Sequence, residues 1–343
     1  MTERMRRDLR RHPIRTGALA VCGLVLMTIA LFNAVDGIRY LRFRTALDRV
    51  SEVSTSGRTI PAGWTFRFVQ SQCSVSVVVD EAELVAARSL DTRAVFNSKG
   101  WLRAACVTDL VRAQARSAVI EGLAREFRRI RDARGLSDDE YLELITSAVQ
   151  QIPYRRASTG LQLPAEILTS GVGICTDKSV LLASLLAHEG YDTAVLVFRA
   201  PSHVALGVAS DGALFQRTRY AFLETTTPRF IGQTAPEYRA AGPVARAPQI
   251  IPLGGWRSYD SGEEVDAILQ ELARAHAVQL AWQRYGRSFR AEPSRQAQRQ
   301  LQNWVAGART TFILAHTHDR SMVYAMLRVS GAAYDEPRRI IAQ

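Results

Sequence analysis

Cys175 stands just after Gly171-Val172-Gly173 and just before an apolar run, Ser179 to Leu186, that His188 and Gly190 bring to an end. The pattern predicts a buried central helix whose first turn carries the sulfur. Unpaired backbone N–H groups and the helix dipole favour an anion there, so the thiol is placed to act as a thiolate nucleophile. His203 opens a strand-like segment after Pro201-Ser202, and Glu224 ends another, Tyr220-Ala221-Phe222-Leu223-Glu224-Thr225-Thr226. A thiol, an imidazole and a carboxylate in that order are what thiol acyl transfer needs. One group attacks, one carries the proton, and one holds the tautomer of the proton carrier. Each residue alone is ordinary, and their order along one helix and the strands after it gives them meaning. The Cys175 backbone N–H is the first candidate oxyanion donor. Gln150, Gln151 and Tyr154, in Val149-Gln150-Gln151-Ile152-Pro153-Tyr154, are candidates for the second donor or for substrate contact, with Gln151 and Tyr154 preferred.

The positioning elements follow from periodicity. Trp64, Phe66 and Phe68 alternate with polar residues, as do Val75, Val77 and Val79, which fits a β-hairpin or two neighbouring strands. From about Asp109 the period turns helical. Leu110, Val111, Gln114, Ala118, Leu123, Phe127 and Ile130 fall near one stripe that Gly135 stops. Ser137 with Glu140 forms a capping box for a second helix that ends before Pro153. After the central helix, Thr193 to Phe198, His203 to Ala209 and Tyr220 to Thr225 read as strands, with Ser210-Asp211-Gly212 as a turn. Pro236, Pro243, Pro248 and Pro252 suit an extended connection. Two amphipathic helices, around Val265 to Leu280 and Leu301 to Ile313, close the chain.

These residues resemble the transglutaminase-like family, whose papain-related fold carries Cys on a central helix and His and an acid on following strands. The resemblance covers about residues 110 to 232. It rests on Leu163-Pro164-Ala165-Glu166-Ile167-Leu168, the block Gly171-Val172-Gly173-Ile174-Cys175-Thr176-Asp177-Lys178-Ser179, Gly190-Tyr191, His203-Val204-Ala205 and Glu224-Thr225-Thr226. It is closest to a bacterial and archaeal membrane-anchored branch with a G-x-G-x-C-x-D-K-S block. The resemblance implies an α+β transglutaminase-like core, a central helix packed on an antiparallel sheet. It also implies Cys175 as nucleophile, His203 as general base and acid, Glu224 as orienting carboxylate, a protein or peptide substrate and no cofactor. In this chain Ile174 stands where relatives often have Asp, and the third acid is Glu. Asp177 reads as structural. The runner-up reading is an anchored interaction module that keeps the fold without catalysis.

The 343 residues carry a formal charge of +11, and Lys99 and Lys178 are the only lysines against a large excess of arginine. Collagen-like, low-complexity and disulfide-scaffold classes are excluded by composition. No P-loop or dinucleotide fingerprint occurs. His316 and His318 lack further ligands at tetrahedral spacing and read as a helix end, so no metal site is expected. The basic surplus at the N-terminus precedes twenty residues without formal charge, Thr16 to Val35, the length of a bilayer's hydrocarbon core. The six arginines before this run place the N-terminus in the cytoplasm and the main domain outside it, with a membrane and not nucleic acid as the partner of the basic arm. A cleaved signal peptide is the alternative. The expected organisation is a basic arm (1–15), a transmembrane helix (16–35), a juxtamembrane stalk (36–63), a small β-containing subdomain (64–108), the catalytic core (109–232), a Pro/Gly linker (233–256) and a helical C-terminal region (257–343). Cys73 and Cys106, beyond the span, either bridge or stay as separately buried thiols.

Overall fold

The computed structural model describes residues 13–51, 56–68, 71–97, 102–157, 160–199, 202–227, 229, 231–232 and 248–263. The first element, α1 (Pro13–Ser51), is one unbroken helix of 39 residues. Its C-terminal half turns Phe43 and Leu47 into the core, at 3% and 1% exposure. Tyr40 Oη donates to Asp109 at 2.6 Å and Arg103 pairs with Asp36 at 3.0 Å, so residues expected to form a stalk are docked on the folded body. Among the described residues no helix is long and apolar enough to cross a membrane. The uncharged run 16–35 lies within α1, and the side chains of residues 13–21, 23, 29, 32 and 33 are outside the description. Most of the basic arm, residues 1–12, is outside it as well.

β1 (Thr59–Phe68) and β2 (Ser71–Asp80) form the expected antiparallel hairpin, in register from Thr59↔Asp80 to Phe68↔Ser71. β1 begins at Thr59, inside the segment 36–63 expected to be a stalk. Asp80 caps α2 (Glu81–Ser89), a helix without a clear sequence stripe, and a 3-10 turn (Thr92–Val95) follows. The single helix expected from about Asp109 is two, α3 (Ala104–Gln114) and α4 (Ala118–Arg134). Ser117 breaks it by accepting the Ile120 N–H at 3.3 Å, and both helices pack against the Cys175–His188 helix. α5 (Asp138–Gln150) starts with the predicted capping box, and α6 (Pro164–Ser170) ends on Gly171, whose φ of 67° is left-handed.

α7 (Cys175–His188) is buried along most of its length and packs against α3, α4, α5, α6, β3 and β4. β3 (Thr193–Arg199), β4 (Ser202–Ala209), β5 (Tyr220–Leu223) and β6 (Gln249–Gly254) form one antiparallel sheet in the order β5-β4-β3-β6. The architecture is α+β. β6 corrects the reading of residues 233–256 as a connection alone: Ile251 is buried and the strand pairs with β3. Pro252 is tolerated because β6 is an edge strand. Residues 257–263 also join the core, with Tyr259 Oη donating to a buried Glu143 carboxylate at 2.7 Å. The two C-terminal helices, with His316 and His318, lie outside the described residues. Cys73 and Cys106 are separate free thiols, both buried, and burial raises both thiol pKa values.

Candidate active site

The site is assembled where the start of α7 meets the ends of β4 and β5. Asp177 builds the helix start. Its carboxylate accepts the Ile174 N–H at 3.0 Å, the Gln162 N–H at 3.0 Å and the Gln162 amide at 3.2 Å. It is 2% exposed, and burial raises its pKa against those hydrogen bonds, which fits the structural role expected of it. Gly173 leaves little room: a Cβ there would stand 3.3 Å from both Asp177 Cβ and Lys178 Cγ. Pro153–Arg155 runs alongside, with Gly173 N donating to Pro153 O at 3.2 Å and a parallel bridge between Tyr154 and Gly173. That pairing is what delivers Tyr154 to the sulfur.

His203 lies one residue into β4, opposite Phe198 of β3, and Glu224 follows directly on β5. The two are brought together: His203 Nε2 is 3.2 Å from Glu224 Oε1, with side chains 8% and 3% exposed. The same carboxylate oxygen accepts the Thr225 and Thr226 N–H groups, each at 2.9 Å, and the Thr226 hydroxyl at 2.7 Å. Burial raises the Glu224 pKa, but the His203 hydrogen bond and charge and the threonine donors win and hold it at about 2. For His203 the burial penalty on the cation is outweighed by hydrogen bonds to Cys175 and Glu224, which lift its pKa to about 9. Burial pushes the Cys175 thiol up, but the His203 hydrogen bond, the Val204 N–H and the imidazole charge reverse it, and the net shift is downward. With Nε2 turned to the carboxylate, Nδ1 is the ring nitrogen left for the thiol. At neutral pH these shifts favour a thiolate–imidazolium pair over two neutral groups.

Tyr154 is the candidate substrate contact that the structure places at the sulfur. Its phenol pKa is raised by partial burial first and then by the charge of Cys175 and a hydrogen bond to it, while the residue as a whole stays 58% exposed. Gln151 is placed elsewhere, a correction to its assignment as an oxyanion candidate. Its amide clasps the Arg67 backbone of β1, donating to O at 2.9 Å and accepting from N at 2.8 Å, and also meets Ser147. Gln150 looks toward the acid: its amide donates to Glu224 O at 2.9 Å and Arg229 O at 2.7 Å.

Two contributors were not anticipated. Ser179 Oγ donates to Val204 O at 3.2 Å, holding the carbonyl side of the residue whose N–H faces the thiol. Lys178 is fully buried, and its ammonium donates to Gln150 O at 2.9 Å, Ile152 O at 2.7 Å and Thr226 O at 3.4 Å. Its pKa falls to about 7 through desolvation, with the Glu224 charge opposing. The available signal was compositional: one of two lysines in an arginine-rich chain sits at the head of an apolar run. A cleft of about 320 Å³ opens on Cys175 and His203 between Phe96 and Leu102 on one side and the β3–β4 end on the other. Among the described residues no cluster of His, Cys, Asp or Glu could hold a metal ion.

Neither a family model, nor a curated protein, nor a solved structure matches the chain. What the site can do is therefore argued from its own groups: a buried acid, an imidazole raised above neutrality and a thiol lowered toward it, in contact and beside a cleft.

Proposed function

We propose that this protein is a cysteine enzyme of the transglutaminase-like type that performs acyl transfer on peptide or side-chain amide bonds through Cys175, His203 and Glu224. The observation that carries the reading is the Glu224–His203 pair at 3.2 Å joined to a thiol at the first turn of a buried helix. The Cys175 thiolate attacks the amide carbonyl, and the negative charge on oxygen meets the Cys175 N–H, with the Tyr154 hydroxyl nearby as a second donor. The His203 imidazolium protonates the departing amine and leaves an acyl-thioester. Water then gives its proton to the neutral imidazole, attacks the thioester and releases the acid, and the thiolate–imidazolium pair is restored. Hydrolysis is favoured over cross-linking because water needs no dedicated site. Activity falls on the acid side as the thiolate is protonated, and on the alkaline side as His203 loses its proton at about pH 9.

Iodoacetamide tests the pair directly. It should modify Cys175 ahead of the buried Cys73 and Cys106 at pH 6.5, and His203→Ala should slow that reaction by about tenfold or more, as the thiol returns toward its ordinary pKa of about 8.5. Equal rates in the two proteins would dismiss the Cys–His pair.

The uncharged run 16–35 supports a single-pass anchor with a cytoplasmic N-terminus and the cleft on the outer side. Alkaline carbonate extraction of membranes should leave the full-length chain in the pellet; a released, full-length protein would remove the anchor.

A further inference from the structure

Phe96 walls the cleft and also borders a second, larger pocket of about 630 Å³, enclosed by α1, the end of α2 and the 3-10 turn. Arg39, Arg42, Phe43 and Ala46 line it from α1, since spacings of three, four and seven residues fall on one side of a helix. Arg93 lines it from the 3-10 turn and Arg103 from the residue before α3. The buried Phe43 and Leu90 give it an apolar floor. Four guanidinium groups thus share one concave surface with fewer carboxylates. Asp36 holds Arg103 at 3.0 Å and stands 4.0 Å from Arg39, and Asp91, the one acid among the described lining residues, accepts the Arg93 N–H at 3.2 Å. Arg42 and Arg93 are exposed, and their side chains make no ion pair or hydrogen bond among the described residues. Their forks are therefore open to an outside anion, and paired N–H donors match the oxygens of a phosphate. The depth of the pocket agrees. Arg39 and Arg42 follow the last residue of the uncharged run, Val35, by four and seven positions, about 6 and 10 Å along a helix. Bilayer headgroups occupy about the first 5–8 Å beyond the hydrocarbon core.

We propose that this pocket binds a phosphate group and that Arg42 and Arg93 grip it. The same chemistry is offered by an anionic phospholipid headgroup and by a soluble phosphate ester. The site stands apart from the Cys175–His203 reading, and only its lipid source rests on the anchor. The full chain in neutral detergent is titrated by calorimetry with dihexanoylphosphatidylglycerol, dihexanoylphosphatidylcholine and glycerol 1-phosphate, with micelles alone as the blank. Phosphatidylglycerol should bind saturably and at least about tenfold more tightly than phosphatidylcholine, whose choline brings a positive charge to the arginines. Arg42→Gln with Arg93→Gln should weaken that binding by about tenfold or more, the scale of losing hydrogen bonds to a charged group. Arg125→Gln with Arg129→Gln removes the same charge from the exposed side of α4 and should change it by less than about twofold. Tighter binding of phosphatidylglycerol than of glycerol 1-phosphate assigns the site to a lipid, and equal affinities assign it to a soluble ester; both require the two arginines. Equal binding of the two lipids, no saturable binding of either anionic probe, or equal losses in the two double variants would overturn the site.

Discussion

Glu224→Gln is expected to disable the site while leaving its shape. The amide keeps the carboxylate's size but removes the charge that offsets burial of the imidazolium. Of the two hydrogen bonds that offset burial of the imidazolium only the one to Cys175 then remains, so the pKa of His203 should fall from its wild-type value of about 9. The thiol's counter-ion at neutral pH is weakened. Alkylation of Cys175 at pH 6.5 should fall by about 10- to 100-fold, and turnover by about 10³- to 10⁴-fold, the scale seen when the third member of a triad is replaced by its amide. Stability supplies a separate readout. Glu224 has a folded pKa of about 2, below its unfolded value of about 4.3, so its contribution is fully present above the unfolded pKa and disappears as pH falls toward 2. In urea unfolding, the gap between wild type and variant should therefore be open at pH 6 and close toward pH 2. A gap that does not change with pH, together with undiminished alkylation, would mean that the carboxylate neither orients nor charges the imidazole.

Lys178→Met should show its pH dependence at the alkaline end of the range. The ammonium serves three carbonyls, and its charge is costly to bury, which is why its folded pKa drops to about 7. Methionine removes that charge but strands the carbonyls of Gln150, Ile152 and Thr226, each loss worth about 1 kcal/mol or more. A lysine depressed in the folded state binds fewer protons there than when unfolded. The stability of the wild type therefore gains as pH rises from about 7 to about 10.4, and the variant lacks this gain. The variant should be about 2–4 kcal/mol less stable at pH 9 and much closer to wild type at pH 6, where loss of the buried charge offsets the stranded carbonyls. The opposite slope contributed by His203 is shared by both proteins and cancels in the comparison. Denaturant midpoints at the two pH values decide the matter, and a pH-independent difference would show that the amine is not held in the way described.

Local signals carried much of this architecture. The hairpin, the capping box at Ser137 and the three strands β3 to β5 were legible because each buries an alternating or periodic set of side chains. The glycines before Cys175 and the apolar run after it marked α7, and the order Cys, His, Glu pointed to three side chains that lie together. What stayed hidden was non-local. β6 was obscured by prolines, which an edge strand accepts and a central one does not. The break at Ser117 hid inside a continuous stripe. The adjacent Gln150 and Gln151 cannot be told apart by type, and their different partners, the loop after Glu224 and the backbone of β1, come from where chain segments far apart in sequence meet. The partners of Lys178 are all backbone carbonyls, which no pattern of side chains announces.

α1 enters the core without a break, pinned by Phe43, Leu47, the Tyr40–Asp109 hydrogen bond and the Asp36–Arg103 pair. It is therefore a mast and not a tether. Whatever holds its N-terminal half also sets the height and bearing of the body that carries Cys175, His203 and Glu224, and leaves that body no free swing about its point of attachment.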